Sequence, residues 1–102
     1  MSTDTIPCPR ADEMEISAVL HALADPVRLD MVRQLAGCAD VACGGFEVSV
    51  GKSTLTHHLR ILREAGVIST RQRGTTRLNS LRRKDLDEAF PGLLDAVLTA
   101  GR

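Results

Sequence analysis

Apolar residues recur at helical spacing through most of the chain, and punctuation residues divide it into short elements. Met14, Ile16, Val19, Leu20 and Leu23 fit one helical stripe in a segment that starts near Ala11. Asp25-Pro26 then interrupts. Asp is a strong N-cap and Pro suits the first helical position, so a second helix is predicted to begin there. Its apolar side is Val27, Met31, Val32 and Leu35, with Leu29 beside it, and Gly37 ends it. Residues 38–51, CADVACGGFEVSVG, have no clear period. They are read as a short helix to about Cys43, broken at Gly44-Gly45, followed by a weakly alternating extended run. Ser53 is the expected cap of a third helix with Leu55, Leu59 and Leu62 on its stripe. Gly66 stops that helix as a residue just past its end. VISTRQ and TRLNSL are β-like and flank Arg73-Gly74-Thr75, which predicts a hairpin with glycine at the turn. Helix returns from Arg82 to Phe90, with Leu86 and Phe90 inward. Another helical run follows Pro91, carrying Leu93, Leu94, Val97 and Leu98. Residues 1–10 hold two prolines and little apolar content, and read as a flexible arm ahead of one domain over 11–102.

The order is helix, helix, short element, helix, hairpin, helix. This is a mainly α chain with a β-hairpin wing, the outline of a winged helix-turn-helix. Such a fold lays one helix in the DNA major groove and brings the hairpin to the backbone nearby.

Composition narrows the picture. At 102 residues the chain suits one small domain, and a homodimer would bury more surface than a monomer. There is no Trp or Tyr, and only Phe46 and Phe90 are aromatic, so the core must be aliphatic. No apolar run approaches the roughly 20 residues of a membrane span, and the N-terminus lacks a signal-peptide pattern. The expected compartment is the cytoplasm. Cys8, Cys38 and Cys43 are too few for a disulfide framework and are expected to be reduced.

Charge sharpens it further. The chain is neutral, yet residues 52–84 hold nine bases and one acid, a net of +8. The segments before and after carry −5 and −3. A charge run is often just a solvated helix face. Here the bases span a helix and a hairpin, which points to a polyanionic partner for one surface, namely double-stranded DNA.

His57 and His58 raise the question of a metal or catalytic site. Adjacent helical residues point about 100° apart, and ligand pairs on one helix need spacing of three or four. No donor stands at those distances, so no metal or cofactor is expected. His58 falls at the edge of the apolar stripe, as a packing residue with one ring nitrogen bonded. His57 falls on the polar face with Ser53, Thr56 and Arg60, residue types that address base edges and phosphates. An enzyme reading finds no support. Gly51-Lys52-Ser53 has the tail of a phosphate loop, but Phe46 stands where the earlier glycine belongs.

LADPVRLDMVRQL followed by KSTLTHHLRILREAGVISTRQRG resembles the ArsR/SmtB family of bacterial winged-helix repressors. The family's recognition helix reads S-x-S-x-S-H-H-L-x-x-L-x-x-A-G-L-V. This chain has Ser53, Thr54, Leu55, Thr56, His57, His58, Leu59, Leu62, Ala65, Gly66, Val67 and Ile68 at matching places. The resemblance covers about residues 15 to 85. It implies a homodimeric repressor of a palindromic operator, dimerised through its first and last helices. The expected DNA contacts are Lys52, Ser53, Thr54, Thr56, His57, Arg60 and Arg63 on the helix, with Arg71, Arg73 and Arg77 on the hairpin. A protein-interaction module with a basic face is the alternative.

Many relatives respond to metals through a Cys-x-Cys pair or through Asp/His pairs on the last helix. Neither motif is present, and no histidine follows His58. Three readings of the cysteines stand side by side: apolar filler, a redox pair of Cys38 and Cys43, or a thiolate site for a soft metalloid or Zn using Cys8, Cys38 and Cys43. The effector, if there is one, is not legible.

Overall fold

The computed structural model describes residues 4–100, apart from the side chains of Asp4 and Cys43. Five helices and four short strands follow in the order β1 (Asp4–Thr5), α1 (Ile16–Leu23), α2 (Pro26–Ala36), β2 (Val41–Ala42), α3 (Lys52–Ala65), β3 (Ile68–Arg73), β4 (Thr76–Leu81), α4 (Arg83–Ala89) and α5 (Leu93–Thr99). Single 3₁₀ turns stand at Ala11–Glu13 and Cys43–Gly45. This is the winged-helix architecture, with helices packed on one side of a small antiparallel sheet.

Local chemistry sets the boundaries of α2 and α3. Asp25 caps α2: its carboxylate accepts from the N–H of Val27 (2.9 Å) and of Arg28 (3.1 Å), and Pro26 opens the helix. Gly66 ends α3 at φ +93, where a left-handed residue lets its own N–H reach the Arg63 carbonyl and the Val67 N–H reach the Leu62 carbonyl. A Cβ on Gly66 would also lie 2.9 Å from Met14 Cγ, so the helix end and the chain ahead of α1 need glycine there for two reasons. The cap predicted at Ser53 moves back: Gly51 is the N-cap and Ser53 lies in the first turn.

The first helix is shorter than its apolar pattern suggested. Residues 11–13 form a 3₁₀ turn and α1 starts at Ile16. Val19, Ala22 and Leu23 enter the core, whereas Ile16 and Leu20 are 44 % and 48 % exposed. Met31, Val32 and Leu35 of α2, Leu59, Leu62 and Ala65 of α3, then Val67, Ile68, Leu86 and Leu94 complete the core. Its aliphatic make-up follows from the composition, with Phe46 as the one buried aromatic.

The sheet order is β1-β3-β4-β2, antiparallel throughout. Residues 4 and 5 of the N-terminal arm pair with Gln72 and Arg71 and supply one edge. The hairpin turns at Gly74, φ +62, as the sequence indicated. Thr70 lies opposite Asn79, and both are buried. The Thr70 hydroxyl donates to Asn79 Oδ1 (2.8 Å) and Asn79 Nδ2 donates to the Val41 carbonyl (3.2 Å). One amide thereby ties β3, β4 and β2 together and satisfies polar atoms that would otherwise be stranded.

Residues 38–51 depart from expectation. No helix runs to Cys43. Val41 and Ala42 instead pair with Asn79 and Leu78 of the wing, and Gly44-Gly45 lie inside the 3₁₀ turn rather than breaking a helix. Residues 46–51 form neither helix nor strand. Gln34 holds this segment to α2 from both sides: its Nε2 donates to the Glu47 carbonyl (3.0 Å), and the Glu47 N–H donates to its Oε1 (2.9 Å). The primary amide offers the donor and acceptor that a peptide group needs, so irregular backbone is pinned without secondary structure.

Candidate nucleic-acid interface

Helix α3 divides lengthwise. Leu59, Leu62 and Ala65 face the core, and His58 beside them is only 9 % exposed. Lys52, Ser53, Thr54, Thr56, His57 and Arg60 are exposed, and Arg63 is half-buried. The two histidines therefore part as their spacing predicted.

His58 is held by a residue that sequence reading did not single out. Arg28, only 7 % exposed, donates from Nη1 to His58 Nδ1 (3.1 Å). It also donates from Nε to the Ala22 carbonyl (2.6 Å) and from Nη2 to the His21 carbonyl (3.2 Å). Guanidinium has only donors, so His58 Nδ1 must be the accepting nitrogen. Arg28 thus helps close the C-terminal end of α1, adding to the Ala24 N–H on the His21 carbonyl and meeting the Ala22 carbonyl, and fixes α3 against it. The residues stand in L-A-D-P-V-R, where Asp25 and Arg28 are one turn apart, but the net charge of a segment does not tell a buried base from an exposed one. Asp25 is held below the usual carboxylate range, first by the hydrogen bond from the Arg28 N–H, with the positive charge of Arg28 and the Val27 N–H adding to it against a penalty for burial.

The wing divides too. Side chains alternate along β3 and β4, and the register places Gln72 opposite Arg77 and Thr70 opposite Asn79. Thr70, Arg77 and Asn79 line a cavity of about 240 Å³ together with Thr56, Leu59, Arg60 and Arg63 of α3. Arg77 is therefore on the face towards α3, where its Nε donates to Gln72 Oε1 (3.1 Å). Arg71 points the other way. It is bonded to Ser80 Oγ (3.1 Å) and ion-paired with Asp40 (3.0 Å). Arg73 is exposed beside the turn. Of the three hairpin arginines grouped together by sequence, one joins the α3 side, one sits near the tip and one is tied to the segment before β2.

The cysteines are scattered. Cys8 follows the strand at one edge of the sheet and Cys38 precedes the strand at the other. Cys38 is exposed and its thiol lies 3.1 Å from the Gln34 carbonyl. Cys8 lies 3.6 Å from Arg82, which also bonds Asp85 and the Pro9 carbonyl. This basic neighbour is remote in sequence and could not be read from it. The Cys43 side chain lies outside the described residues. Among the described residues no three His, Cys, Asp or Glu side chains are grouped as metal ligands, and no helix is long and apolar enough to cross a membrane.

Comparison with known proteins agrees with this geometry. Residues 45–70, which span the irregular segment, α3 and the start of β3, match the sequence family described as bacterial regulatory protein, arsR family. The chain is 31 % identical over 91 residues to the HTH-type transcriptional regulator YceK of Bacillus subtilis, covering 86 % of this chain and 91 % of that protein. It is 32 % identical over 75 residues to the arsenical resistance operon repressor of Staphylococcus xylosus, covering 72 % and 71 %. The crystal structure of an ArsR family transcriptional regulator superposes with a TM-score of 0.65 over 72 % of this chain and 81 % of that one; at 19 % identity it speaks for the fold alone. With these relatives, a buried Arg28–His58 lock behind α3 and a basic face in front of it, the chain belongs to the arsR family of winged-helix DNA-binding transcriptional regulators.

Proposed function

We infer that the protein is a repressor that binds a palindromic operator as a homodimer, with α3 in the major groove and the wing against the flanking backbone. The observation that carries the reading is the meeting of Arg60 and Arg63 from α3 with Arg77 from the wing around one cavity, beside the exposed hydroxyls and imidazole of Ser53, Thr56 and His57. Phosphate contacts from the arginines would fix position, and the small polar side chains would meet base edges.

The dimer is supported by α1. Ile16 and Leu20 stand one turn apart and are the exposed large apolar side chains among the described residues. A second copy covering them would bury what a single domain leaves in water. Two copies related by a two-fold axis present two α3 helices, and the operator must then have matching half-sites.

The test is fluorescence anisotropy on the protein's own promoter DNA, run beside light scattering for mass. Binding should prefer a symmetric site over one half-site, weaken steeply with salt, and show a salt slope shallower by about 1 in Arg60→Ala as a phosphate contact is lost. Absence of binding at low salt would overturn the reading. A basic face that serves an acidic protein partner would instead show no preference for symmetric half-sites.

A further inference from the structure

The cavity between α3 and the wing gathers three arginines, Arg60, Arg63 and Arg77. We propose that it is a phosphate site, used by one DNA backbone phosphate and equally by phosphate free in solution, so that free phosphate competes with DNA for the protein. The inference rests on the DNA-binding reading above.

Arg60 and Arg63 reach the cavity from successive turns of α3, and Arg77 reaches it from β4. Among the described residues the Arg63 guanidinium has no hydrogen-bond or ion-pair partner. Arg77 uses Nε on Gln72, which leaves its terminal nitrogens for another acceptor. Arg60 has only Glu64, at 3.6 Å and with both side chains about two-thirds exposed, a pair that contributes little in water. No carboxylate is among the lining residues. The hydroxyl of Thr70 is donated to Asn79, and that of Thr56 to the Lys52 carbonyl at 3.0 Å. The free donors are therefore guanidinium N–H groups, arranged around a space with no anion of its own.

That donor set selects its ligand. Guanidinium forks pair with the oxygens of a phosphate through charge-assisted bonds, the strongest hydrogen bonds available to a side chain. Three like charges around one cavity also repel, and an oxyanion bearing one or two negative charges relieves this, whereas a neutral ligand does not. The volume, about 240 Å³, exceeds several times the roughly 30 Å³ share of one water, so the group can enter with part of its hydration. A phosphodiester and inorganic phosphate present the same oxygens, which makes occupancy by one exclude the other.

The experiment has two arms. In the first, inorganic phosphate is titrated into the protein without DNA, against chloride at matched ionic strength, and backbone amide shifts are followed by NMR. Shifts should saturate and cluster at Thr56, Arg63, Thr70 and Arg77. In the second, operator binding is measured in the same two salts. Phosphate at ten times its own dissociation constant should lower the apparent DNA affinity about tenfold relative to chloride, by simple competition. Arg63→Gln and Arg77→Gln should each shrink the difference between the salts, and Arg71→Gln, on the other face of the wing, should retain it. Equal DNA affinity in phosphate and chloride would overturn the proposal, as would an undiminished phosphate effect in both Arg63→Gln and Arg77→Gln. The arms separate this inference from the one beneath it. Operator binding without amide shifts removes the phosphate site alone. Amide shifts without any operator binding remove the competition with DNA together with the reading on which it rests.

Discussion

The two faces of α3 are built by opposite rules, although the residues alternate between them within a few positions. On the inner face the buried polar side chain is anchored to a buried partner. His58 is bonded to Arg28, and Arg28 is bonded to two carbonyls of α1 besides. On the outer face the side chains are exposed and only loosely paired, Arg60 with Glu64 at 3.6 Å being typical. The contrast has a physical cause. An unsatisfied polar atom in the core costs far more than one in water, so the inner face must be closed on itself. The outer face can remain open because water stands in for the partner, and a DNA groove can then replace the water. The neighbouring histidines, chemically identical, take their roles wholly from which side they fall on.

Mutations on the two faces should therefore separate stability from binding. The largest effect belongs to the apolar core. Leu62 is fully buried, and Leu62→Ala should cost about 2–5 kcal/mol in urea unfolding. His57→Ala, one helix face away, should leave the unfolding midpoint within about 0.5 kcal/mol of wild type while weakening DNA binding. A large stability loss in His57→Ala would erase the distinction.

Next in size is the polar lock. Arg28→Ala strands the Ala22 carbonyl and removes the partner of the His58 ring, and should cost about 1.5–3 kcal/mol by denaturant titration. Arg28→Lys should recover little, since one ammonium cannot reproduce a guanidinium fork. Full recovery by lysine would mean that charge alone matters there.

A smaller effect is expected at the cap. Asp25→Ala should cost about 1 kcal/mol through the lost N-cap. The carboxylate is depressed in the folded state, mainly by the bond from the Arg28 N–H. Its contribution is therefore complete above the pKa of the unfolded chain, near 3.9, and fades as pH falls through the lower folded value. Asp25→Asn should flatten that acid limb in thermal melts at pH 2 to 5 (about the carboxylate range). An unchanged limb would show that other carboxylates control it.

How much of this was legible in the sequence depended on whether the cause was local. Asp25-Pro26, the stripe of Leu59 and Leu62, Gly66 and the Gly74 turn all act within a few residues of themselves, and each forms the element it announced. The opposing histidines followed from helical geometry alone. What stayed hidden depended on partners far along the chain. Strand β2 is only two residues long and exists because Val41 meets Asn79 of the wing, so no period could reveal it. Gln34 reaches Glu47 and substitutes a side-chain clamp for a helix. The pairing of Arg71 with Asp40, 31 residues away, has no local signal either. Ile16 and Leu20 recur at helical spacing with Val19 and Leu23, yet α1 buries the second pair and leaves the first exposed.

The two faces of the wing offer the most direct trial of the account. Its central claim is that DNA lies along the side shared by α3 and Arg77, not along the side where Arg71 meets Asp40. Operator affinity should be measured across a series of salt concentrations for wild type, Arg77→Ala and Arg71→Ala. Removing a phosphate contact makes the plot of log affinity against log salt shallower by about 1. The account predicts that change for Arg77→Ala and a wild-type slope for Arg71→Ala. A shallower slope for Arg71→Ala with Arg77→Ala unchanged would place DNA on the opposite face and contradict it.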